Sequence, residues 1–403
     1  MAAVDRLLTP CLEGARALSR RDFVRGGCAL ASALSFSGSA KAETKDGAWV
    51  LRDASLMTRV LLVYNTNSSD SVAIKDYYVS NRPGMGSVDT LGVAADTTEK
   101  TTSANLVSQI RTPIYNFLAS SPNKKYYVIM CRGLSSRVWS EGKAYASVDY
   151  LLSRADPNLS NSAGREYNGR VNFQLSYAPA TYPGTTFLVT RLDMGSLAAT
   201  RAYINKLKRV CNAMSTPSLT VSAQSAGLGG TNYLLDELRE AAYQAYALIA
   251  TDENYLTSVA AVDSGRLTYT RTAPNAKRDR DVLGYETWGV HGGMPGTYPY
   301  DGTISFGGNS NWWLVKTIES YNGIVASGQG NFEGFFNPRC AGGFNYSRTP
   351  VGMACHTDEP RLNGIEGPQY LVNWEKGLLF SECAWSSRNT PFFMAVGDPL
   401  VAR

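Results

Sequence analysis

The chain has 403 residues, of which 39 are Lys or Arg and 34 are Asp or Glu. Six of the basic and three of the acidic residues lie in the first 42, so residues 43–403 carry 33 positive against 31 negative side chains. A balance this close to neutral argues against partners held by bulk charge, such as nucleic acid or an anionic membrane surface. No stretch after residue 42 is long and apolar enough to span a bilayer, so we expect no stable membrane anchor.

The first 42 residues have the order of features found in an export signal. Residues 19–25 read S-R-R-D-F-V-R, a close match to the twin-arginine motif, and a small-residue apolar run follows at 26–36. Residues 40–42 then offer an A-x-A cleavage site. The alternative, an ordinary amphipathic N-terminal helix, does not account for this order. The sequence predicts that a bacterial twin-arginine translocase exports the folded chain to the periplasm or the medium.

Five cysteines remain after the predicted signal peptide, namely Cys131, Cys211, Cys340, Cys355 and Cys383. No two of them form a C-x-x-C pair, and we expect neither a cofactor nor a metal site. Cys340 and Cys355 flank a Gly-rich loop and would be able to form a disulfide in an oxidising compartment. The odd count leaves at least one thiol over unless two chains pair.

Apolar runs and helix signals alternate along most of the chain. Strands are predicted at residues 59–65, 88–93, 126–130, 187–192, 219–222, 282–288, 323–326 and 392–396. Helices are predicted after the cap residues 67–69 and at 103–118, 197–214 and 234–250. Residues 156–184 read as a long surface excursion, and 252–279 as a variable connector. This alternation predicts an α/β fold, a parallel sheet with helices on both faces.

Three segments follow from this reading of the chain. Residues 1–42 are the signal peptide, residues 43–215 a Rossmann-like α/β half, and residues 216–403 a second α/β half. Because β/α alternation is continuous from one half to the other, we expect one doubly wound unit or two stacked halves, with no linker between separate modules.

Histidine occurs at only two positions, 291 and 356. His291 stands in G-V-H-G-G, just after the predicted strand 282–288. Loops beyond the carboxyl ends of parallel strands are where α/β proteins place their sites. Gly292 and Gly293 would let backbone N–H groups approach a ligand closely. By itself, however, this local pattern is more typical of a solvated loop histidine beside a tight turn.

Residues 324–332, I-V-A-S-G-Q-G-N-F, run from an apolar segment into a Gly-rich turn, with Ser327 at the break. Together with the His291 loop they resemble the caspase-type cysteine peptidases, and the gingipains in particular. In those proteins a Gly-His-Gly loop precedes an Ala-Cys with Gly, an acid and Phe soon after. The resemblance implies a caspase-like fold for residues 216–403 and a hydrolase of peptide or ester bonds. It would make His291 the general base, Ser327 the nucleophile, and the N–H groups of Gly292 and Ser327 the oxyanion site.

Ser327 departs from that family, which has cysteine at this position. A thiolate beside histidine is a ready nucleophile near neutral pH, whereas a serine hydroxyl needs a base that a third group orients. The sequence names no such group for His291, and the residues around Ser327 lack the G-x-S-x-G elbow. The loops therefore belong either to a serine variant of the dyad or to a scaffold that has lost it. In the second case the protein would bind a peptide or glycan in the same cleft without turnover.

Residues 43–403 are also similar, over nearly their whole length, to a family of exported bacterial proteins of unknown function. The similar blocks are V-Y-N at 63–65, S-V-A-I-K-D-Y-Y at 71–78, S-V-D at 147–149, T-R-L-D at 190–193, G-Y-E-T-W-G at 284–289, E-P at 359–360 and V-G-D-P-L at 396–400. The terminal Gly-Asp-Pro also occurs near the end of gingipain-like catalytic domains. This resemblance implies an exported location and the fold, and no activity.

Other polar residues are assigned to structure. Cys355-His356 is interpreted as a buried thiol or half-cystine beside an exposed histidine, because neighbours on a strand point to opposite faces. Asn65 is expected to form a turn at a strand end. Asp149 and Asp193 are interpreted as helix caps, the alternative being cation ligands.

Overall fold

The structure is a computed structural model. It describes residues 54–123, 125–140, 143–153, 187–216, 219–236, 268–272, 277–287, 304–325, 331–338, 340, 347–360 and 364–403. All of these belong to one unit, Asp46–Arg403. The predicted signal peptide, the excursion at 156–184, and His291, Gly292 and Ser327 lie outside the described residues.

Seventeen strands occur in the described part of the chain. They are β1 Val60–Asn65, β2 Asp89–Val93, β3 Lys100–Thr101, β4 Tyr127–Cys131, β5 Arg137–Ser140, β6 Lys143–Ser147, β7 Leu188–Leu192, β8 Val221–Ser222, β9 Asn232–Asp236, β10 Thr268–Thr272, β11 Lys277–Arg280, β12 Val282–Thr287, β13 Ile304–Gly307, β14 Leu314–Thr317, β15 Gly352–His356, β16 Phe393–Gly397 and β17 Val401–Ala402.

The helices lie between these strands. They are α1 Ser69–Asn81, α2 Ser103–Asn105, α3 Thr112–Ser120, α4 Val148–Ser153, α5 Leu197–Ala213, α6 Phe332–Phe335, α7 Gly367–Glu375 and α8 Phe380–Ser386. A π-helical segment, Leu106–Arg111, joins α2 to α3. Among the described residues, no helix has both the length and the apolar character needed to cross a membrane.

Ten strands form one sheet, in the order β10-β9-β12-β14-β15-β16-β7-β4-β1-β2. All pairings are parallel within β2-β1-β4-β7 and within β10-β9-β12-β14-β15. β16 lies between the two groups and is antiparallel to β15, while a single pair, Val396 with Arg191, joins it to β7 in the parallel sense. A contact between the segments that follow β4 and β15 nevertheless shows that the carboxyl ends of both groups lie at one edge. The prediction of an α/β protein with a large, mostly parallel sheet is confirmed.

The two groups of strands have the same order. In each, the first strand along the chain lies between the second and the third, and the fourth lies beyond the third: β2-β1-β4-β7 and β10-β9-β12-β14. One sheet thus continues across residue 215, where the sequence suggested the boundary between two halves.

Helices cover both faces of the second group. Tyr233 of β9 is in register with Gly284, and its hydroxyl lies 2.9 Å from the carboxylate of Glu375 in α7. The next residue along β12, Tyr285, faces the opposite side, because neighbouring residues on a strand alternate. There its ring packs edge-on against Phe335 of α6, with 6.5 Å between the ring centroids.

Local signals explain the helices that were predicted correctly. The side chain of Ser68 accepts a hydrogen bond from Ser71 N at the start of α1, and Ser196 caps α5 in the same way through Ala199 N. The predicted helix at 103–118 is present as α2, the π-helical segment and α3. Pro113 lies in the first turn of α3, directly after the π-helical segment that interrupts the regular helix.

Three predicted elements in the second half are wrong. Residues 232–236 form β9, so the helix predicted from residue 234 does not begin there. Residues 323–325 form a turn, and the strands in this region are β14 and β15. The predicted connector contains β10 and β11 in its described part. Short apolar runs fit a strand, a helix or a turn equally well by periodicity alone.

The terminal Gly-Asp-Pro has a structural role. The buried carboxylate of Asp398 accepts hydrogen bonds from Tyr78 Oη at 2.7 Å and from Arg82 Nε at 2.8 Å, both at the end of α1. Its backbone N–H donates to Tyr203 Oη in α5 at 2.8 Å. Gly397 has φ +147°, a conformation that favours glycine. The C-terminal segment is therefore held by the first half of the chain.

Candidate functional site

Several strands of the sheet end at one common edge, which we call the carboxyl edge. Arg137, shortly after β4, donates through Nη1 to Thr357 O, just beyond β15, at 3.4 Å. Gly195, shortly after β7, has φ +86°, and a Cβ at this position would lie 2.9 Å from Cγ of Glu333. β12 and β14 run parallel to β15 and therefore end at this edge too.

His291 and Ser327, the residues of the proposed dyad, lie outside the described residues, whereas the strands that precede them are described. β12 ends at Thr287, four residues before His291, and Thr287 is in register with Thr317, the last residue of β14. The chain segments that lead to His291 and Ser327 thus leave two neighbouring strands at the same edge.

The residues on both sides of Ser327 are fixed to the end of β15. Gly323 N donates to His356 O at 2.8 Å, and Phe332 N donates to Asn322 O at 2.9 Å. We call residues 322–325 and 331–332 the stem, because they bracket the segment 326–330 that contains Ser327.

The two sides of the stem also contact each other. Asn331 Nδ2 lies 3.4 Å from Ile324 O, and Asn331 Oδ1 accepts from Gly334 N at the start of α6. Val325 is the last described residue before Ser327. The stem therefore lies at the carboxyl edge, and its first part ends two residues before Ser327 in the sequence.

An ion pair lies against the stem. Arg137 Nε is 2.9 Å from Glu99 Oε1, although neither atom makes a hydrogen bond in the described part of the chain. Partial burial raises the pKa of Glu99 above its ordinary value, against the opposing effects of Arg137, Lys100 and the nearby backbone of Val325. A carboxylate with a raised pKa thus lies beside the stem.

Tyr321, next to the stem, has a strained backbone. Its φ of +57° is in the left-handed region, which residues other than glycine seldom adopt. Partial burial and a hydrogen bond to Asp358 raise the pKa of its hydroxyl to about 12. Backbone strain of this kind concentrates at functional sites, where surrounding contacts hold it in place.

A second charged cluster lies further along the carboxyl edge. Arg132, directly after β4, has Nη1 at 2.9 Å from Asp193 Oδ1 and Nε at 3.5 Å from Asp70 Oδ2. Burial alone would lower the pKa of Arg132, but Asp193, Asp70 and the nearby Glu333 together raise it. This cluster therefore extends the polar surface from the stem to the start of α1.

The interpretation of Asp193 as a helix cap is wrong. Ser196 caps α5, while Asp193 Oδ1 accepts from Gly195 N at 2.9 Å and pairs with Arg132. A short turn separates the strand from the helix, so the residue directly after the strand lies too early to cap it. Its carboxylate instead forms an ion pair with the guanidinium of Arg132.

Asp149 also differs from its predicted role as a cap. It lies inside α4, where Ser147 Oγ accepts from Tyr150 N, and it is completely buried. Both of its oxygens accept from Arg191, at 2.7 to 3.1 Å, and Arg191 also donates to Leu134 O at 2.9 Å. This pair holds the turn after β4. No group of three or more His, Cys, Asp or Glu side chains in the described ranges is placed to hold a metal ion.

A buried ion pair links β12 and β14 near the carboxyl edge. Register places Glu286 opposite Lys316, and Lys316 Nζ lies 2.8 Å from Glu286 Oε1. The other oxygen, Oε2, has no hydrogen-bond partner among the residues that the structure describes. This pair was not predicted from the sequence. Its signal was a charged residue in each of two otherwise apolar strands.

His356 is buried, so its interpretation as an exposed residue is wrong. Its Nδ1 lies 2.8 Å from Glu319 O, which can only accept, so Nδ1 holds the proton. Nε2 has no partner within the described part of the chain. Burial lowers the pKa of His356 to about 4, and the ring is therefore neutral at pH 7.

The cysteines described at the carboxyl edge are also buried. Burial raises the pKa of the Cys355 thiol well above its ordinary value. Cys340 and Cys355, both among the described residues, are not joined by a disulfide. The bridge that their spacing allowed is therefore absent.

Asn65 is a turn former, as predicted. At the end of β1 its side chain donates to Ala95 O at 3.0 Å and to Gly133 O at 2.8 Å, and accepts from Asn67 N at 3.0 Å. These bonds join the turns that follow β1, β2 and β4.

Fold and site together define a class, a mixed α/β protein with a large, mostly parallel sheet and a polar carboxyl edge. Comparisons of the chain with protein-family models, with curated proteins and with solved structures found no match. The argument for function consequently depends on the chemistry of the carboxyl edge.

Proposed function

We propose that this chain is an exported hydrolase of peptide or ester bonds with a caspase-like second half, in which His291 and Ser327 form the catalytic dyad. The observation that supports it most directly is the stem. The stem, which brackets positions 326–330 of the sequence, lies at the carboxyl edge, and β12, which ends four residues before His291, ends at the same edge beside β14. This is where a doubly wound protein places its site.

The reaction would follow the acyl-transfer scheme of serine hydrolases. Ser327 Oγ attacks the substrate carbonyl carbon while His291 takes the hydroxyl proton. The backbone N–H groups of Gly292 and Ser327 stabilise the oxyanion that forms. Collapse expels the amine or alcohol, which receives the proton from His291, and leaves an acyl-Ser327 ester. Water, deprotonated by His291, then releases the acid and restores the hydroxyl.

A non-catalytic binding protein is the second candidate. The observation that favours it is the state of the described carboxylates at this edge. Glu99, Asp70 and Asp193 all pair with arginine, so none of them is free to orient a histidine base. In that case the same cleft would hold a peptide or a glycan without turnover.

Labelling with a serine-reactive fluorophosphonate distinguishes the two candidates. The expected result is covalent labelling of the mature chain that Ser327→Ala abolishes and His291→Ala slows by a hundredfold or more, in the range of lost general-base catalysis. Ser108→Ala, at an exposed serine on the π-helical segment, is the matched control and should label like the parent chain.

Equal labelling of the parent chain, Ser327→Ala and His291→Ala would contradict the hydrolase. No labelling of a folded parent chain that nevertheless binds a peptide or glycan tightly would instead support the binding protein.

A further inference from the structure

The five cysteines of residues 43–403 are all among the described residues, and each of them is completely buried. They are distributed over different elements: Cys131 ends β4, Cys211 lies in the last turn of α5, Cys340 follows α6, Cys355 is in β15 and Cys383 is in α8. None of the five is joined to another by a disulfide. The fold therefore keeps five reduced thiols in its core.

Burial also makes these thiols unreactive. It is the main reason why the pKa of Cys131, Cys355 and Cys383 lies well above its ordinary value. Cys383 Sγ lies 3.7 Å from Leu378 O, which can only accept a hydrogen bond, so this thiol carries its proton. A thiol attacks a disulfide as the thiolate, and the two sulfur atoms must be able to meet. For these three thiols neither condition is met in the folded chain.

The unfolded chain behaves differently, because its thiols are exposed and have an ordinary pKa of about 8.5. Two of them pass two electrons and two protons to a disulfide oxidant, which becomes a dithiol, and form an S–S bond with each other. Since the folded chain has no disulfide between its five cysteines, every bond formed in this way is non-native.

A non-native bond would prevent the sheet from forming. Cys131 and Cys355 illustrate this, because β16 and β7 lie between their strands in the sheet. Three strand spacings of about 4.8 Å put β4 and β15 roughly 14 Å apart. Bridged cysteines have Cα atoms at most about 7 Å apart, so this bond and the complete sheet exclude each other.

We propose that this chain has to fold before it meets an oxidant, because burial of its five thiols is what keeps it free of disulfides. An exporter that carries folded chains delivers these thiols already buried, whereas a route that carries unfolded chains delivers them exposed. The export route rests on the proposed function. The required order of folding and oxidation does not, since it follows from the buried thiols alone.

The order of folding and oxidation can be varied with one protein. The mature chain is unfolded in guanidinium chloride and diluted into buffer, and an excess of oxidised glutathione is added either at the moment of dilution or after refolding is complete. We expect native tryptophan fluorescence, and a monomer on non-reducing electrophoresis, only when the oxidant is added last. Equal recovery of the native chain in both orders would overturn the proposal.

The accessibility of the thiols is measured on the chain as purified, so this test needs no refolding. We expect the folded chain to react with dithionitrobenzoate roughly a hundredfold more slowly than the chain in guanidinium chloride, because reaction requires opening of the fold. Rapid reaction of all five thiols in the folded chain would show that burial does not protect them, and would also overturn the proposal.

A change of export route tests the consequence in the cell. Residues 1–42 are replaced by a signal peptide of the general secretory route, which carries unfolded chains. We expect a disulfide-linked, misfolded product, and recovery of the native chain in a host that lacks its periplasmic dithiol oxidase. A native product with five thiols in the ordinary host would overturn the proposal. Normal export of the variant Arg20→Lys with Arg21→Lys would instead refute the twin-arginine assignment, and the refolding experiment would still decide the order of folding and oxidation.

Discussion

His356 shows how burial decides the chemistry of a single residue. A histidine near the end of a strand invites a catalytic interpretation, but this ring is enclosed, neutral and bonded to Glu319 O through Nδ1. Glu99 shows the reverse, since nothing in its local sequence marks it as part of an ion pair. Its partner, Arg137, lies 38 positions further along the chain.

The buried ring of His356 should make the protein less stable in acid. The pKa of His356 is about 4 in the folded chain and ordinarily 6.5. Between these two values the imidazole is protonated in the unfolded chain but not in the folded one. The stability that depends on the neutral ring is present above pH 6.5 and is lost as the pH falls towards 4. The loss reaches about 3 kcal/mol.

Urea unfolding of the parent chain and of His356→Gln at pH 7, 6, 5 and 4 measures this effect. The variant loses some stability at pH 7, where the parent ring is well packed. Its free energy of unfolding should then decrease less steeply on acidification. Parallel curves for the two proteins across this range would contradict the assignment.

At the scale of elements, the sequence predicted those strands and helices whose signals are local. β1, β4 and β7 are short, apolar and completely or nearly buried, and α1 and α5 begin at serine caps. β14 was missed for a physical reason. Lys316 interrupts the apolar run of β14, and its burial depends on Glu286, thirty residues earlier on another strand. The small sheet of β3, β5 and β6 is too short to show any periodicity.

The difference between local signals and contacts of distant residues also applies to the candidate site. The strand predicted before the His291 loop is present as β12, whereas the strand predicted before Ser327 is a turn at residues 323–325. The Glu99–Arg137 pair, the strain at Tyr321 and the closure of the stem depend on tertiary contacts, which no local pattern encodes.

The pair between β12 and β14 offers a test at this scale. Lys316→Met leaves the carboxylate of Glu286 buried without its cation, and should lower the free energy of unfolding by about 3–5 kcal/mol. Adding Glu286→Gln removes the orphaned charge and should recover much of that loss. Urea unfolding of both variants at pH 7 measures the difference. A single variant within 1 kcal/mol of the parent chain would mean that the carboxylate is neutral or solvated.

At the scale of the whole molecule, two groups of strands with the same order share one sheet. The C-terminal segment connects the two groups. Asp398, directly after β16, forms hydrogen bonds with Tyr78, Arg82 and Tyr203 of the first half. The Gly-Asp-Pro block that resembles gingipain-like domains is therefore explained here by architecture, independently of any activity.

Export is a prediction about the whole molecule. We expect the double variant Arg20→Lys with Arg21→Lys to leave uncleaved precursor in the cytoplasm, because the twin-arginine pathway reads that pair of residues. Fractionation and mass determination of the exported N-terminus measure it, with Arg16→Lys as the matched control. Normal processing and export of the double variant would show that the signal assignment is wrong.

β16 follows every other strand of the ten-stranded sheet along the chain, yet it is the sixth of the ten across the sheet. Until β16 docks, β15 and β7 each lack a neighbour and expose a backbone edge. The two groups of strands are therefore able to form separately, but neither has a complete sheet until this one strand is inserted between them. A chain in which β16 is deleted or fails to dock would retain two open edges, prone to aggregation and recognisable by chaperones.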